Sequence, residues 1–244
     1  MKRPASVLAG LVLAGFLALA LGRPGEALLG SYATSLEGRT KNQRHNAELA
    51  ARRLRGALVA PGSVFSFNGR VGSLSMDRGF RKAPVSYNGQ LIDSWGGGVC
   101  QVSTTLYNAA LLAGLEIVER SRHRFAPGYV PIGLDAAVAF DGIDLKLRNP
   151  HPFPVRIDAA VVSDRLVVRI YGARPPGDAP RIEREVLSAA RPREFHVGTP
   201  GGPRRVRNTG KLGAEVAVYR VWRGQRELVS VDTYPVMHRI VEGD

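Results

Sequence analysis

Residues 95–108 read WGGGVCQVSTTLYN and carry Cys100, the single cysteine of the chain. The three glycines before it, Gly96, Gly97 and Gly98, let a backbone take positive φ and come close to a ligand. The run behind them reads as a helix, whose first N–H groups point into the turn and favour negative charge there. A thiol in a first helical turn ionises more readily, which makes it a better nucleophile near neutral pH. The same amides are the kind that hold the oxyanion formed in acyl transfer. No Lys-Ser or Lys-Thr pair follows the glycines, so the spacing is not that of a phosphate-cradling loop.

A cysteine nucleophile needs a base. His123 follows the strand-like LEIVER, and Asp135 follows His123, with Asp141 and Asp144 a little further on. Cysteine, histidine and aspartate in this order suit a Cys–His–Asp enzyme, although such triads are defined by geometry and not by order. Cys100, Ser103, Thr104 and Tyr107 fall at i, i+3, i+4 and i+7, a polar stripe facing away from Val102, Leu106, Ala109, Ala110 and Ala113. Gln101 beside the thiol reads as an amide donor to a substrate carbonyl, or as a cap on the loop. The competing readings are a buried small hydrophobe for Cys100, an intermolecular disulfide, a surface position for His123 and a turn or cap for Asp135. One cysteine and scattered histidines lack the spacing of a zinc site, so no metal or other cofactor is expected.

The elements around these residues predict an α+β fold, with helices packed on a mostly antiparallel sheet and a small all-β extension behind it. KNQRHNAELAARRLRGALV reads as the first helix, with Ala47, Ala50, Ala51, Leu54 and Leu58 on one face. His45 near its start reads as a structural or capping residue. VFSFN reads as a strand and APVSYNGQLIDSW as a hairpin turning at Asn88-Gly89. Gly114 ends the Cys100 helix. AAVAF and DLKLRN read as short strands, and FPVRIDAAVVSDRLVVRIYG as two strands turning at Ser163-Asp164. ARPPGDAP has a linker's composition. EVAVYRVWRG and VSVDTYPVMHRIV are strand-like around a turn at Gly224. The expected organisation is therefore a leader over 1–27, a main domain over 28–174, a linker over 175–180 and the β extension over 181–244.

The leader joins Lys2 and Arg3 to an apolar run over 5–22, the pattern of an export signal. Cleavage fits after ALA at 18–20 or GEA at 25–27. The apolar run also approaches the roughly 17–25 residues that span a bilayer, so an uncleaved membrane anchor is the alternative. The net charge is +13, and between Arg39 and Lys82 ten Lys and Arg face only Glu48 and Asp77. Outside the cytoplasm such a basic surface suits anionic envelope polymers or carboxylate-bearing peptides. No nucleic-acid module is recognisable, so nucleic acid is not an expected partner.

The segments LLGSYATSL, APGSVFSFNGRVG, RGFRKAPVSYNGQL, GGGVCQVSTTLYNAALLAGLEIVER and YVPIGLDAAVAFDGIDLKLRN together resemble the VanW family, from Leu28 to Gly172. The resemblance implies a bacterial envelope setting with peptidoglycan or its precursors at hand. It places the family signature on Gly96, Gly97, Gly98, Cys100, Gln101, Ser103, Thr104, Tyr107 and Asn108, and downstream on His123, Tyr129, Pro131, Gly133 and Asp135. The tail from NTGKLGAEVAVYRVWRG to IVEGD is similar to a small glycine-bearing β module. Two functions are expected: a Cys-dependent acyl transferase or hydrolase acting through Cys100, His123 and Asp135, or a non-catalytic wall-binding or anion-binding module.

Overall fold

The computed structural model describes residues 23–87, 90–140, 142–173, 177–198 and 202–243. Residues 1–22 of the expected leader, the turn at Asn88-Gly89, Asp141 and residues 175 and 176 of the expected linker lie outside the described residues. No helix among the described residues is long and apolar enough to cross a membrane.

One antiparallel sheet runs β1 (Ala27–Ser35), β9 (Arg165–Gly172), β8 (Val155–Val162) and β2 (Ala57–Val59) in that spatial order. Helix α1 (Lys41–Leu54) packs on β8, while helix α3 (Val99–Leu112) packs on β1 and β9 and touches α1. The main core lies between these layers and includes Leu36, Leu54, Leu106, Leu111, Ile157 and Ile170. Three small sheets surround this unit or follow it: β3 (Val64–Ser66), β7 (Lys146–Arg148) and β6 (Glu116–Glu119); the hairpin β4 (Lys82–Tyr87) and β5 (Gln90–Trp95); and β11 (Glu194–Val197), β15 (Arg239–Glu242) and β12 (Arg205–Asn208). A longer sheet joins β10 (Arg181–Ala190), β13 (Gly213–Trp222) and β14 (Gln225–Tyr234).

The α+β expectation is corrected here. The protein is predominantly β, with 45% strand against 16% helix and five sheets to three helices among the described residues. Two causes stand out. Residues 27–35 form an edge strand that no alternation announced. Residues 181–208 supply three further strands with no buried residue, one of them exposed along its whole length, so their side chains carry no buried-face pattern. What holds β10 is its ladder to β13, a backbone interaction that side-chain periodicity does not report.

Helix α1 starts at a capping box, in which Thr40 accepts from Gln43 N–H and the Gln43 side chain accepts from Thr40 N–H. Its buried stripe is Ala47, Ala50, Ala51 and Leu54. The helix ends a turn earlier than its apolar spacing predicts. Gly56 takes φ +73° and the chain enters β2, which leaves Leu58 exposed.

Helix α3 is enclosed on all sides. Every residue in it except Cys100 and Leu112 is buried. It can lie this close to β1 because Gly30 has no side chain: a Cβ there would stand 2.5 Å from Ala113 N. The run AAVAF forms no strand, only the isolated bridges Ser121–Ala137 and Ala139–Ile143, and its backbone lies along the polar side of α3.

Candidate active site

The glycine turn is fixed from outside. Gly98 caps α3 at φ +106°, where a Cβ would also meet the Gln43 carbonyl oxygen at 2.4 Å. Asn46 donates to the Gly97 and Arg81 carbonyls at 2.9 and 2.8 Å, and Gln43 donates to the Pro84 carbonyl at 2.8 Å. Helix α1 thus holds the turn against the β4–β5 hairpin. Within the turn, Val99 N–H donates to the Gly96 carbonyl and Gln101 N–H to the Gly98 carbonyl. Those two amides are therefore already used and are not free to hold an oxyanion.

A cavity of about 140 Å3 opens beside Cys100 and is lined also by Arg39, Gln101, His123, Tyr129 and the three glycines. The Cys100 thiol donates to the Val138 carbonyl oxygen at 3.4 Å and lies close enough to the His123 ring to feel its charge. His123 Nδ1 meets Asp135 Oδ2 at 2.6 Å, which leaves the other ring nitrogen for the sulfur. Asp135 Oδ2 also accepts from His123 N–H at 2.7 Å, so the carboxylate grips both ends of the histidine. Cys100, His123 and Asp135, selected from spacing, form one continuous chain of contacts.

The electrostatics run in the direction that such a chain needs. Burial alone would push the Cys100 thiol up, but the His123 hydrogen bond and charge prevail and hold it below its ordinary value. Burial opposes the His123 imidazolium, yet the bonds to Asp135 and Cys100 raise it to about 9. Asp135 is fully enclosed, which works against its charge, and the His123 contacts still keep it below the usual carboxylate range. Both shifts run toward the thiolate and imidazolium forms.

Asp135 Oδ1 is held by residues that spacing does not single out. Tyr234 Oη donates to it, and Arg120 Nη2 approaches at 3.4 Å. Arg120 also donates to the Asp135 and Gly133 carbonyls and forms a forked pair with both carboxylate oxygens of Asp232 at 2.6 Å. Tyr234 and Asp232 both stand on β14, so the far end of the chain reaches the carboxylate of the site. Their separation in sequence left no local signal.

The polar stripe of α3 has a different role from the one its spacing suggests. Ser103 donates to the Ala136 carbonyl at 2.7 Å, and Thr104 accepts from Ala136 N–H at 3.0 Å. Asn108 donates to the Leu134 carbonyl at 2.7 Å. Tyr107 is fully buried beneath the Arg120 guanidinium, and burial pushes its phenol up to about 12. Ser103, Thr104 and Asn108 thus fasten the 134–136 backbone, and with it Asp135, to the helix, while Tyr107 packs against Arg120; none of Ser103, Thr104 and Tyr107 lines the cavity. Gln101 does line it, but its amide nitrogen is used by Thr34 Oγ1 and the Ser35 carbonyl at 3.0 and 2.7 Å. Its oxygen accepts from Arg39 Nε at 2.9 Å, so Gln101 orients Arg39 and offers no free donor to a substrate carbonyl. Tyr129 forms the floor beneath the Arg39 guanidinium, 4.8 Å from ring centre to carbon. Among the described residues, no group of three or more His, Cys, Asp or Glu is placed to hold a metal ion.

Known proteins share this arrangement of sequence. The protein YoaR of Bacillus subtilis is 37% identical over 145 residues, covering 59% of this chain and 48% of YoaR. The vancomycin B-type resistance protein VanW of Enterococcus faecalis is 30% identical over 141 residues, covering 56% of this chain and 51% of VanW. The chain thus spans about half the length of the curated relatives it matches. No solved structure matches it. The family description "VanW like protein" matches residues 42–171, more than half of the chain and the whole of the Cys100–His123–Asp135 constellation, and the chain belongs to that VanW-like family.

Proposed function

We propose that the protein is an exported cell-envelope protein that performs Cys-dependent acyl transfer or hydrolysis on peptidoglycan-related peptides. The observation that carries the reading is the unbroken chain from Cys100 through His123 to Asp135 at the edge of a cavity. The envelope setting is supported by the resistance protein among its relatives and by the basic surface over 39–82. Export is supported by the basic and apolar pattern over 2–22.

In this reading the Cys100 thiolate attacks the carbonyl carbon of an amide or ester, forming an S–C bond. The Cys100 N–H meets the developing oxyanion. The His123 imidazolium gives its proton to the departing nitrogen or oxygen as the C–N or C–O bond breaks. Water or an amine then attacks the thioester while His123 takes its proton, and Cys100 leaves as thiolate. Asp135 keeps the imidazole oriented and steadies its positive form.

The test is alkylation of Cys100 by iodoacetamide across pH, together with incubation of the full chain with soluble stem peptides followed by mass spectrometry. The expected result is a thiol that titrates well below the free value of about 8.5, with cleaved or acyl-exchanged peptides that disappear in Cys100→Ala. A thiol titrating near the free value, or peptides unchanged by the wild type, overturns the reading. Binding to purified wall that is equal in wild type and Cys100→Ala, without turnover, would instead make the protein a binding module.

A further inference from the structure

Arg39 stands in the active-site cavity without an anion. Its Nε is bound to Gln101, its guanidinium carbon lies over Tyr129, and no Asp or Glu among the described residues pairs with it. The cavity lining contains no acidic residue at all. Arg39 is half-buried, and burial lowers its hold on the proton. Lys211, which donates to the Ala126 carbonyl at 3.0 Å, is near enough for the Arg39 charge to add to the burial that weakens its ammonium.

A desolvated cation with no partner is costly, and a second one close by makes it more so. A structure keeps such an arrangement where a ligand supplies the missing charge. The positioning of Arg39 is built to the same end. Gln101 is locked by Thr34 and Ser35, Tyr129 supports the guanidinium plane, and the two terminal nitrogens are left with no protein acceptor among the described residues. A planar fork held in this way matches a carboxylate bidentately.

We infer that Arg39 is the carboxylate-binding residue of the active-site cavity, and that the substrate is a peptide or acyl donor with a free carboxylate beside the reacting carbonyl. The cavity, at about 140 Å3 and open to solvent, suits the carboxylate-bearing end of a substrate. This rests on the acyl-transfer reading above, because it assigns the substrate of the same site.

The test uses two alkylating agents that differ only in charge. Iodoacetate carries a carboxylate and iodoacetamide does not, and both transfer a carbon to sulfur with loss of iodide. The ratio of their rates at Cys100 should exceed the ratio at free glutathione in the same buffer. Arg39→Gln should lower that ratio about tenfold, the size expected for losing one charge-assisted pair. Arg39→Lys, which keeps the charge, should retain part of the preference, and Arg52→Gln on the far face of α1 should retain all of it. An unchanged ratio in Arg39→Gln overturns the assignment, as does a wild-type ratio equal to that of glutathione. If Arg39→Gln does not fold, Arg39→Lys decides, and a ratio there equal to wild type overturns the forked contact. An iodoacetamide profile like that of a free thiol overturns the acyl-transfer reading instead, while the ratio still reports whether a carboxylate is preferred.

Discussion

Asp135 and Asp144 are both buried aspartates on the segment after His123, yet the protein uses them in opposite ways. Asp144 accepts from Ser66 Oγ at 2.5 Å and from the N–H groups of Asn68 and Leu145 at 2.9 and 2.8 Å. Its partners are neutral and local to the short helix α2 (Phe67–Val71), whose start it secures. Asp135 is tied to an imidazole, a guanidinium and a phenol. One carboxylate ends its influence at a fold element, while the other passes its charge on to a group that can exchange a proton. The residue type and degree of enclosure do not separate structural from chemical aspartates here; the partners do.

The largest expected effect breaks this comparison directly. Asp135→Asn should slow iodoacetamide labelling of Cys100 at pH 6 on the order of a hundredfold, because the imidazolium loses its counter-charge and the thiol drifts back toward its free value. Asp144→Asn should leave that rate within about twofold. Equal losses in both variants would mean that the two corners do the same work. Next, urea denaturation should show Asp144→Ala destabilised by about 1–3 kcal/mol, from a lost helix cap and an unpaired Ser66.

A smaller effect concerns pH. His123 is held near 9, above its free value of about 6.5. Its share of stability is complete below about pH 6.5 and is lost as pH rises through 9. Cys100 is held low, so its share has the opposite sign: present above the free thiol value, lost as pH falls through its own lowered one. The two shares run in opposite directions across neutral pH, so wild-type stability should change less with pH than the His123 share alone would make it. Cys100→Ser removes the thiol's share, so its stability should fall by about 1–2 kcal/mol from pH 6.5 to 9. A flat profile in that variant would count against the raised imidazole. The smallest effect sharpens the Asp135 corner: Tyr234→Phe should slow labelling at pH 6 about three- to tenfold, as one of several donors is lost, with no change attributable to Asp144.

Cys100 was singled out because it is the lone cysteine after three glycines at a helix start, and His123 and Asp135 because they follow it closely in sequence. The glycines likewise announce a turn that only they fit. What surrounds the triad was not legible. Spacing puts Ser103, Thr104 and Tyr107 on one side of α3, but it cannot say whether that side meets solvent, ligand or backbone. Here it meets the backbone of 134–136. Arg39 lay among ten basic residues with nothing to distinguish it, since its meaning comes from Gln101 and Tyr129 across the cavity. The predominance of strand was hidden for a related reason: β10 to β12 are exposed and charged, and alternation marks a strand only when one face is covered.

The Tyr234 contact gives the molecule a built-in order of assembly. Chains are made from the N-terminus, so the thiol and imidazole are synthesised long before the strand that steadies their carboxylate. Until β14 docks, Asp135 lacks its phenol and Arg120 lacks Asp232. A chain cut short after the family-matching region would carry the signature without these two contacts.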